Sequence, residues 1–318
     1  MKKIYCLLML LALLGCEKEP SDPLVFGAVT WPGYESIYVA RELGYLDEKQ
    51  VHLAEFTNTT EVLRAMRNNK LHVAGLTLDE ALSLRRYIPD LQVFMVVDVS
   101  SGANVLMARQ DIKNLGQLKG KRIGVEKTAL GAYFLILILH AAHLSADEVH
   151  IISLPLDEQV KAYRTGLVDA VVTYGLRRAE LSQAGAKPLF DSSNVPGKIV
   201  DVLVVRAADA IKHGEQINAL AKAWFQALSI IQHDPARAYP LMARRESLPV
   251  TELENTLHGI TLLDRRQSVQ QLSGNPAPLF NTASEVQLIL KQAGLDIGSD
   301  DLSHLINSRV LPLTRYPP

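Results

Sequence analysis

The sequence predicts an α/β protein of two lobes with a ligand cleft between them. Three observations predict it. Short apolar strands alternate with helical segments, each strand runs into its helix through a turn carrying aromatic or hydroxyl side chains, and the alternation restarts after a small polar stretch at 100–103. Residues 24–29 read as a buried strand, and Trp31-Pro32-Gly33-Tyr34 as a turn. Ile37, Ala40, Leu43 and Tyr45 then recur at helical spacing, with Gly44 as the stop. A strand at 51–56 leads through the cap-rich Thr57-Asn58-Thr59-Thr60 into a helix over 61–68. A third strand, 71–76, leads into Thr77-Leu78-Asp79-Glu80, which fits a capping box. Such repetition builds a mostly parallel sheet with right-handed crossovers, whose ligand site lies beyond the carboxyl ends of the strands.

A strand at 93–99 ends at Ser100-Ser101-Gly102-Ala103, the candidate crossover into a second lobe. There, strands are expected at 121–125, 150–154, 169–174 and 199–205, with helices at 133–143 and 157–165. From Ala207 onward the chain reads as mainly helical, with 209–233, 250–263 and 282–293 the clearest pieces. The expected organisation is a leader over 1–15, a tether over 16–23, lobe I from 24–102 plus 206–318, and lobe II from 103–205.

The leader starts with Lys2 and Lys3 and continues through 12 uninterrupted apolar residues, 4–15. That is shorter than the roughly 20 residues a membrane-spanning helix needs and has the length of a signal-peptide core. Leu13-Leu14-Gly15-Cys16 resembles the bacterial lipobox, in which the cysteine is acylated after the leader is removed. The resemblance implies lipidation at Cys16 and attachment to a membrane. Glu17 stands where an aspartate would resemble an inner-membrane retention signal, which points to the outer membrane in a host that has two. Only two cysteines exist, Cys6 and Cys16, so the mature chain has no cysteine pair for a disulfide.

Composition narrows the function classes. Hydrophobic residues make up 48% and charged residues 21%, as in globular proteins. Loss of Lys2 and Lys3 leaves 31 basic against 34 acidic residues, a field that does not attract nucleic acid. No histidine pair stands at metal-ligand spacing, and no nucleophile elbow, P-loop or dinucleotide fingerprint appears, so no catalytic residue, metal or cofactor is nominated.

Several ordered motifs resemble one family. Trp31-Pro32-Gly33-Tyr34-Glu35, continuing through Tyr38 to Asp47, resembles the opening of the ABC-importer substrate-binding family whose members take thiamine pyrimidine precursors, aliphatic sulfonates, taurine and nitrate. Gly75-Leu76-Thr77-Leu78-Asp79-Glu80-Ala81-Leu82 resembles its third strand and helix. Gly166-Leu167-Val168-Asp169-Ala170-Val171-Val172-Thr173-Tyr174 resembles its hinge-side strand, and 196–205 the strand that returns to the first lobe. The resemblance implies a type II periplasmic-binding fold, a small-molecule ligand and an ABC permease as partner. The chain departs from the family twice: Gly175-Leu176 replaces a glutamate-proline pair, and Tyr34-Glu35-Ser36 replaces the histidine-glycine-glycine of the pyrimidine-precursor binders.

Candidate ligand contacts follow from position and chemistry. Trp31 and Tyr34 sit on a turn, where they can stack on a planar ligand or meet a cation. Thr57 and Thr59 offer hydroxyls unless used as caps. Thr77 is a cap first, and Asp79 can pair with an ammonium or simply favour a helix start. Ser101 and Gly102 allow close backbone approach or serve the hinge alone. Thr128 and Tyr133 match the turn that closes over ligand in the family. Tyr174 lies at a strand end facing the cleft. Asp201 is charged within an apolar strand and needs a partner, either a ligand amine or a protein group such as Arg206. The expected function is capture of a small polar molecule, heteroaromatic or anionic, by a monomeric binding protein. The same clamshell docking on a membrane signalling protein is the alternative, and an enzyme on this fold is the third.

Overall fold

A computed structural model of the chain describes residues 22–311. Cys16 and the leader lie outside the described residues. Two mixed sheets organise the rest.

The first sheet has six strands in the order β11-β4-β10-β3-β1-β2. These are β1 (Leu24–Val29), β2 (Val51–Phe56), β3 (Val73–Thr77), β4 (Leu91–Ser100), β10 (Val200–Arg206) and β11 (Ile260–Leu262). The second has five strands in the order β7-β6-β8-β5-β9. They are β5 (Val105–Ala108), β6 (Arg122–Val125), β7 (His150–Ser153), β8 (Ala170–Thr173) and β9 (Lys187–Asp191). Each sheet has a parallel part, β2-β1-β3 and β7-β6-β8, as the alternation predicts. The expectation of mostly parallel sheets is corrected by the crossover strands: β10 runs antiparallel to β3 and β4, and β5 antiparallel to β8 and β9. A strand arriving from the other lobe enters its new sheet at the cleft end and so runs against its neighbours.

Because β10 is central in the first sheet, residues 200–205 belong with lobe I, not lobe II as expected from sequence. The expected helix over 250–263 is also two elements. Helix α10 (Val250–Leu257) ends and β11 follows, pairing with the edge of β4. The expected helix over 209–233 breaks at His213 into α7 (Ala207–Lys212) and α8 (Gly214–His233).

Lobe I packs α1 (Glu35–Glu42) and α8 over β1, where Phe26 meets Tyr38 and Trp224 edge-to-face, both at 6.4 Å between ring centres. Helices α2 (Thr59–Arg67) and α3 (Leu78–Leu84) follow β2 and β3. Helix α4 (Ala129–Ala142) of lobe II is apolar over nearly its whole surface, which is the pattern of a helix buried on all sides. It is sandwiched: one side contacts β6 and β8, and the other meets α3 and α12 (Pro278–Gln292) of lobe I. The lobes therefore share apolar core along one flank of the cleft. The remaining helices are α5 (Gln159–Arg164), α6 (Gly175–Gln183), α9 (Pro235–Glu246) and α11 (Arg265–Leu272). No helix among the described residues is long and apolar enough to cross a membrane.

Ile138→Ala tests the sandwich. The side chain is fully buried, so truncation is expected to cost about 2–5 kcal/mol with a single denaturant-unfolding transition. Two separated transitions would show that α4 does not couple the lobes.

Candidate functional site at the lobe junction

The chain crosses between lobes at 101–104 and 192–199, and hydrogen bonds tie the two crossings together. Ser100 Oγ lies 2.8 Å from Ser192 Oγ and donates to Asn104 Oδ1 at 2.7 Å, while the Gly102 N–H donates to Ser192 Oγ at 2.6 Å. Ser100 and Ser192 are fully buried. Arg178 of α6 adds a bond to the Gly102 carbonyl at 2.7 Å.

Beside this brace lies a small cavity, lined from both lobes. Its wall includes Trp31, Tyr34, Thr59, Thr77, Glu80 and Asp201 from lobe I and Tyr174 and Leu130 from lobe II, with Asn104 of the crossing between. It sits beyond the carboxyl ends of β1 and β3, the position expected for open α/β sheets. Trp31 and Tyr174 close it edge-to-face, 5.8 Å between ring centres and 88° between planes.

The register of the sheet builds the polar floor. Asp201 on β10 lies directly opposite Thr77 on β3 and Asp98 on β4. Trp31 Nε1–H donates to Asp98 Oδ2 at 3.1 Å, and the Tyr34 hydroxyl donates to Asp201 Oδ1. Two glycines make room for this. A Cβ at Gly33 would lie 1.7 Å from Asp98 Oδ2, and one at Gly75 would lie 2.8 Å from the Tyr34 ring. Glu80 accepts from the Thr77 N–H at 3.1 Å as part of the predicted capping box, and also faces the cavity.

All these carboxyls are pushed upward. Burial raises Asp201, and the neighbouring Asp98 raises it further. Burial raises Asp98 as well, partly offset by the hydrogen bond from Trp31. Glu80 is raised by burial and then by Asp79, and Asp79 by burial. Glu126 of lobe II, at the rim, is raised to about 7 by burial and then by Asp157. Tyr34 is held far above the ordinary phenol value by burial and by Asp201, so it remains a donor.

The residues expected from sequence separate into groups. Trp31, Tyr34, Thr59, Thr77, Tyr174 and Asp201 line the cavity. Thr57 lines a wider outer vestibule with Asn58, Thr60 and Lys127, and bonds to Glu61. Asn58, not a threonine, caps α2. Thr128 caps α4 through the Gly131 N–H at 3.0 Å. Asp79 and Tyr133 are buried behind the wall, and neither Ser101 nor Gly102 lines the cavity. Arg206 turns away from Asp201 to Asp209 and the carbonyls of Leu71 and Met66. Glu80, Asp98 and Asn104 did not stand out in sequence. Asp98 carried a signal, a carboxylate inside an apolar strand, the same feature that singled out Asp201.

At the opposite end of β3, His72, Asp209 and His213 bring one potential metal-ligating atom each within 4.8 Å of the others. The Val25 N–H donates to His72 Nδ1 at 2.9 Å, which places the imidazole proton on Nε2. As paired here, His72 has no lone pair left for a metal.

Residues 31–238, more than half of the chain, match the NMT1/THI5 like family, and the chain belongs to it. No curated protein matches. Solved structures share the two-lobed binding fold at low identity. The alkanesulfonate-binding protein SsuA from Xanthomonas axonopodis pv. citri, bound to MOPS, is 18% identical with a TM-score of 0.72 over 86% of this chain and 94% of that one. The periplasmic aliphatic sulphonate binding protein SsuA from Escherichia coli is 17% identical with a TM-score of 0.74 over 93% and 96%. The desulfurization enzyme DSZB is 17% identical with a TM-score of 0.67 over 91% and 97%.

The raised carboxyls give a pH test. Their stabilisation is complete below the ordinary carboxylate range, about pH 4, and is lost as pH rises through the raised folded values. Asp98→Asn keeps the acceptor for Trp31 and removes the repulsion on Asp201. In ligand-free protein, D98N is expected to gain on wild type between pH 5 and 8, by on the order of 3 °C in Tm. An unchanged difference would show that the pair is solvated.

Proposed function

We propose that this chain is a solute-binding protein that captures a small molecule between its lobes and presents it to an ABC permease. The observation that carries the reading is the cavity at the lobe junction, lined from both lobes at the ends of β1 and β3 beside the braced crossings. Family membership supports the reading, as do the binding proteins of similar fold. The sulfonates named for those proteins are not carried over, because a sulfonate in this cavity would meet Glu80 and Asp201 and no basic side chain. Hinge closure around the crossings is the motion such lobes use. Under the same proposal the protein works in the periplasm, anchored through lipid on Cys16, and acts on its ligand without turnover.

Two measurements test this. Native mass spectrometry of the mature protein, purified gently from its host, is expected to show a 1:1 small-molecule adduct that leaves on denaturation. Trp31→Ala is expected to weaken the capture at least about tenfold, on the order of 1.4 kcal/mol. Chemical change of the released molecule on incubation with the protein would replace the binding role with catalysis. Separately, Cys16→Ser is expected to abolish fatty-acid labelling and release the chain from the membrane fraction; retained labelling would place the acyl chain elsewhere.

A further inference from the structure

We infer that the captured solute is an organic cation, carrying an ammonium, amidinium or guanidinium group that binds between Asp201 and Glu80. The inference rests on the cavity being the capture site and assigns the chemistry that the site selects.

The first argument is the balance of donors and acceptors. Asp98 and Asp201 present four carboxyl oxygens, and the protein directs two neutral donors at them, Trp31 Nε1–H and the Tyr34 hydroxyl. Asp98 Oδ1 has no hydrogen-bond partner. Asp201, only 4% exposed and in the cavity wall, has no other group in hydrogen-bond reach among the described residues except the Asp98 carboxyl itself. Glu80 accepts from the Thr77 N–H, and the Thr77 hydroxyl is the side-chain donor beside it, so it too meets neutral donors only. Buried carboxylates in proteins are ordinarily paired or fully hydrogen-bonded, and this set is neither.

The second argument is the placement of the nearest basic groups. No Lys, Arg or His lines the cavity. Arg206 is held by Asp209 and two backbone carbonyls, Arg245 by Glu35 and the face of Tyr38, Arg177 by Glu180, and Arg178 by Gly102, while Lys127 lies in the outer vestibule and not in the cavity wall. Directly opposed like charges destabilise a sheet, and here the fold opposes Asp98 and Asp201 without a cation of its own. A cationic solute supplies the missing charge, and an anionic one would add to the repulsion.

The third argument is the rest of the wall. Trp31 and Tyr174 provide aromatic faces suited to a cation. Asn104, buried at the brace, uses its Oδ1 on Ser100 and has its amide nitrogen without a described partner, so it can read an acceptor on the same solute.

The test begins with the molecule released from the mature protein by denaturation, identified by accurate mass. The expected molecule carries a nitrogen protonated at pH 7. Protein refolded without ligand is then titrated calorimetrically with probes of one shape and different charge: benzamidinium and benzylammonium, benzyl alcohol, and benzenesulfonate. At least one cation is expected to bind tenfold or more tightly than the alcohol, with no binding of the sulfonate. Asp201→Asn and Glu80→Gln, each checked for folding by circular dichroism, are expected to erase that preference while leaving the alcohol unchanged. An adduct without a basic nitrogen, or a panel in which neutral or anionic probes match the cations, overturns the cation assignment and leaves the capture role standing. An empty protein that binds no probe at millimolar concentration overturns both.

Discussion

The opposition of Asp98 and Asp201 across β4 and β10 is the constraint around which lobe I is arranged. Two carboxyls in adjacent strands, both buried, repel each other and lack the water that would solvate them. The sequence answers with the Trp31–Tyr34 turn, which lays one donor on each. That turn can lie flat only because Gly33 and Gly75 have no side chain where Asp98 and Tyr34 pass. A strand pair, an aromatic turn and two glycines thus form one unit, and none of them is explained by core packing alone. The aromatic rings give apolar mass to the floor of the cavity and spend their polar ends on the acids.

The same strands set the mechanics. β4 leaves lobe I and β10 returns to it side by side, so the two crossings are neighbours and can be tied by Ser100, Ser192 and Asn104. Small buried hydroxyls suit this place because they hold two backbones close without filling the space the crossings need to bend. On the far flank, α4 is bound by apolar contacts to both lobes. Trp31 faces Tyr174 where the cavity adjoins the outer vestibule, away from this apolar flank. Asn104 stands in both parts, as a member of the brace and of the cavity wall, so a solute that bonds to it also touches the hinge.

Much of this was legible in the residues. The first three strand–turn–helix units could be read from hydrophobic runs followed by caps, because each is a local pattern. The short strands β5, β9 and β11 could not, because each pairs with a strand distant in sequence and has too few residues to show a period. β11 was hidden inside an expected helix, since Ile260 and Leu262 fit a helical stripe as readily as a strand. The antiparallel entry of β10 follows from topology, which hydrophobic patterning does not encode. At the site, Asp201 stood out as a charge among valines and leucines, whereas Asp98 was read as part of an apolar strand. Glu80 was absorbed by the capping box, a role it fills with one oxygen while the rest of the side chain faces the cavity. A residue with two roles shows only the local one to a reader of the sequence.

The raised carboxyls bear on why such a floor is tolerated. A fold selected for stability alone would pair the Trp31 and Tyr34 donors with neutral acceptors rather than with two opposed carboxyls. Instead the repulsion is retained, and burial makes the empty site hold protons that water would remove. If the solute is the proposed organic cation, its charge takes the place of those protons and the carboxyls regain full charge as it binds. Affinity for it then draws on the relief of two crowded acids. The lobe that carries Tyr174 and Glu126 lies against the same charges, with Glu126 adding to the field on Glu80. Under the proposed capture, closing the lobes over the empty floor leaves its protonated carboxyls without a partner, and closing them over a cationic solute does not. On that proposal, the electrostatics that make lobe I unfavourable when empty also discriminate between a filled and an unfilled cleft.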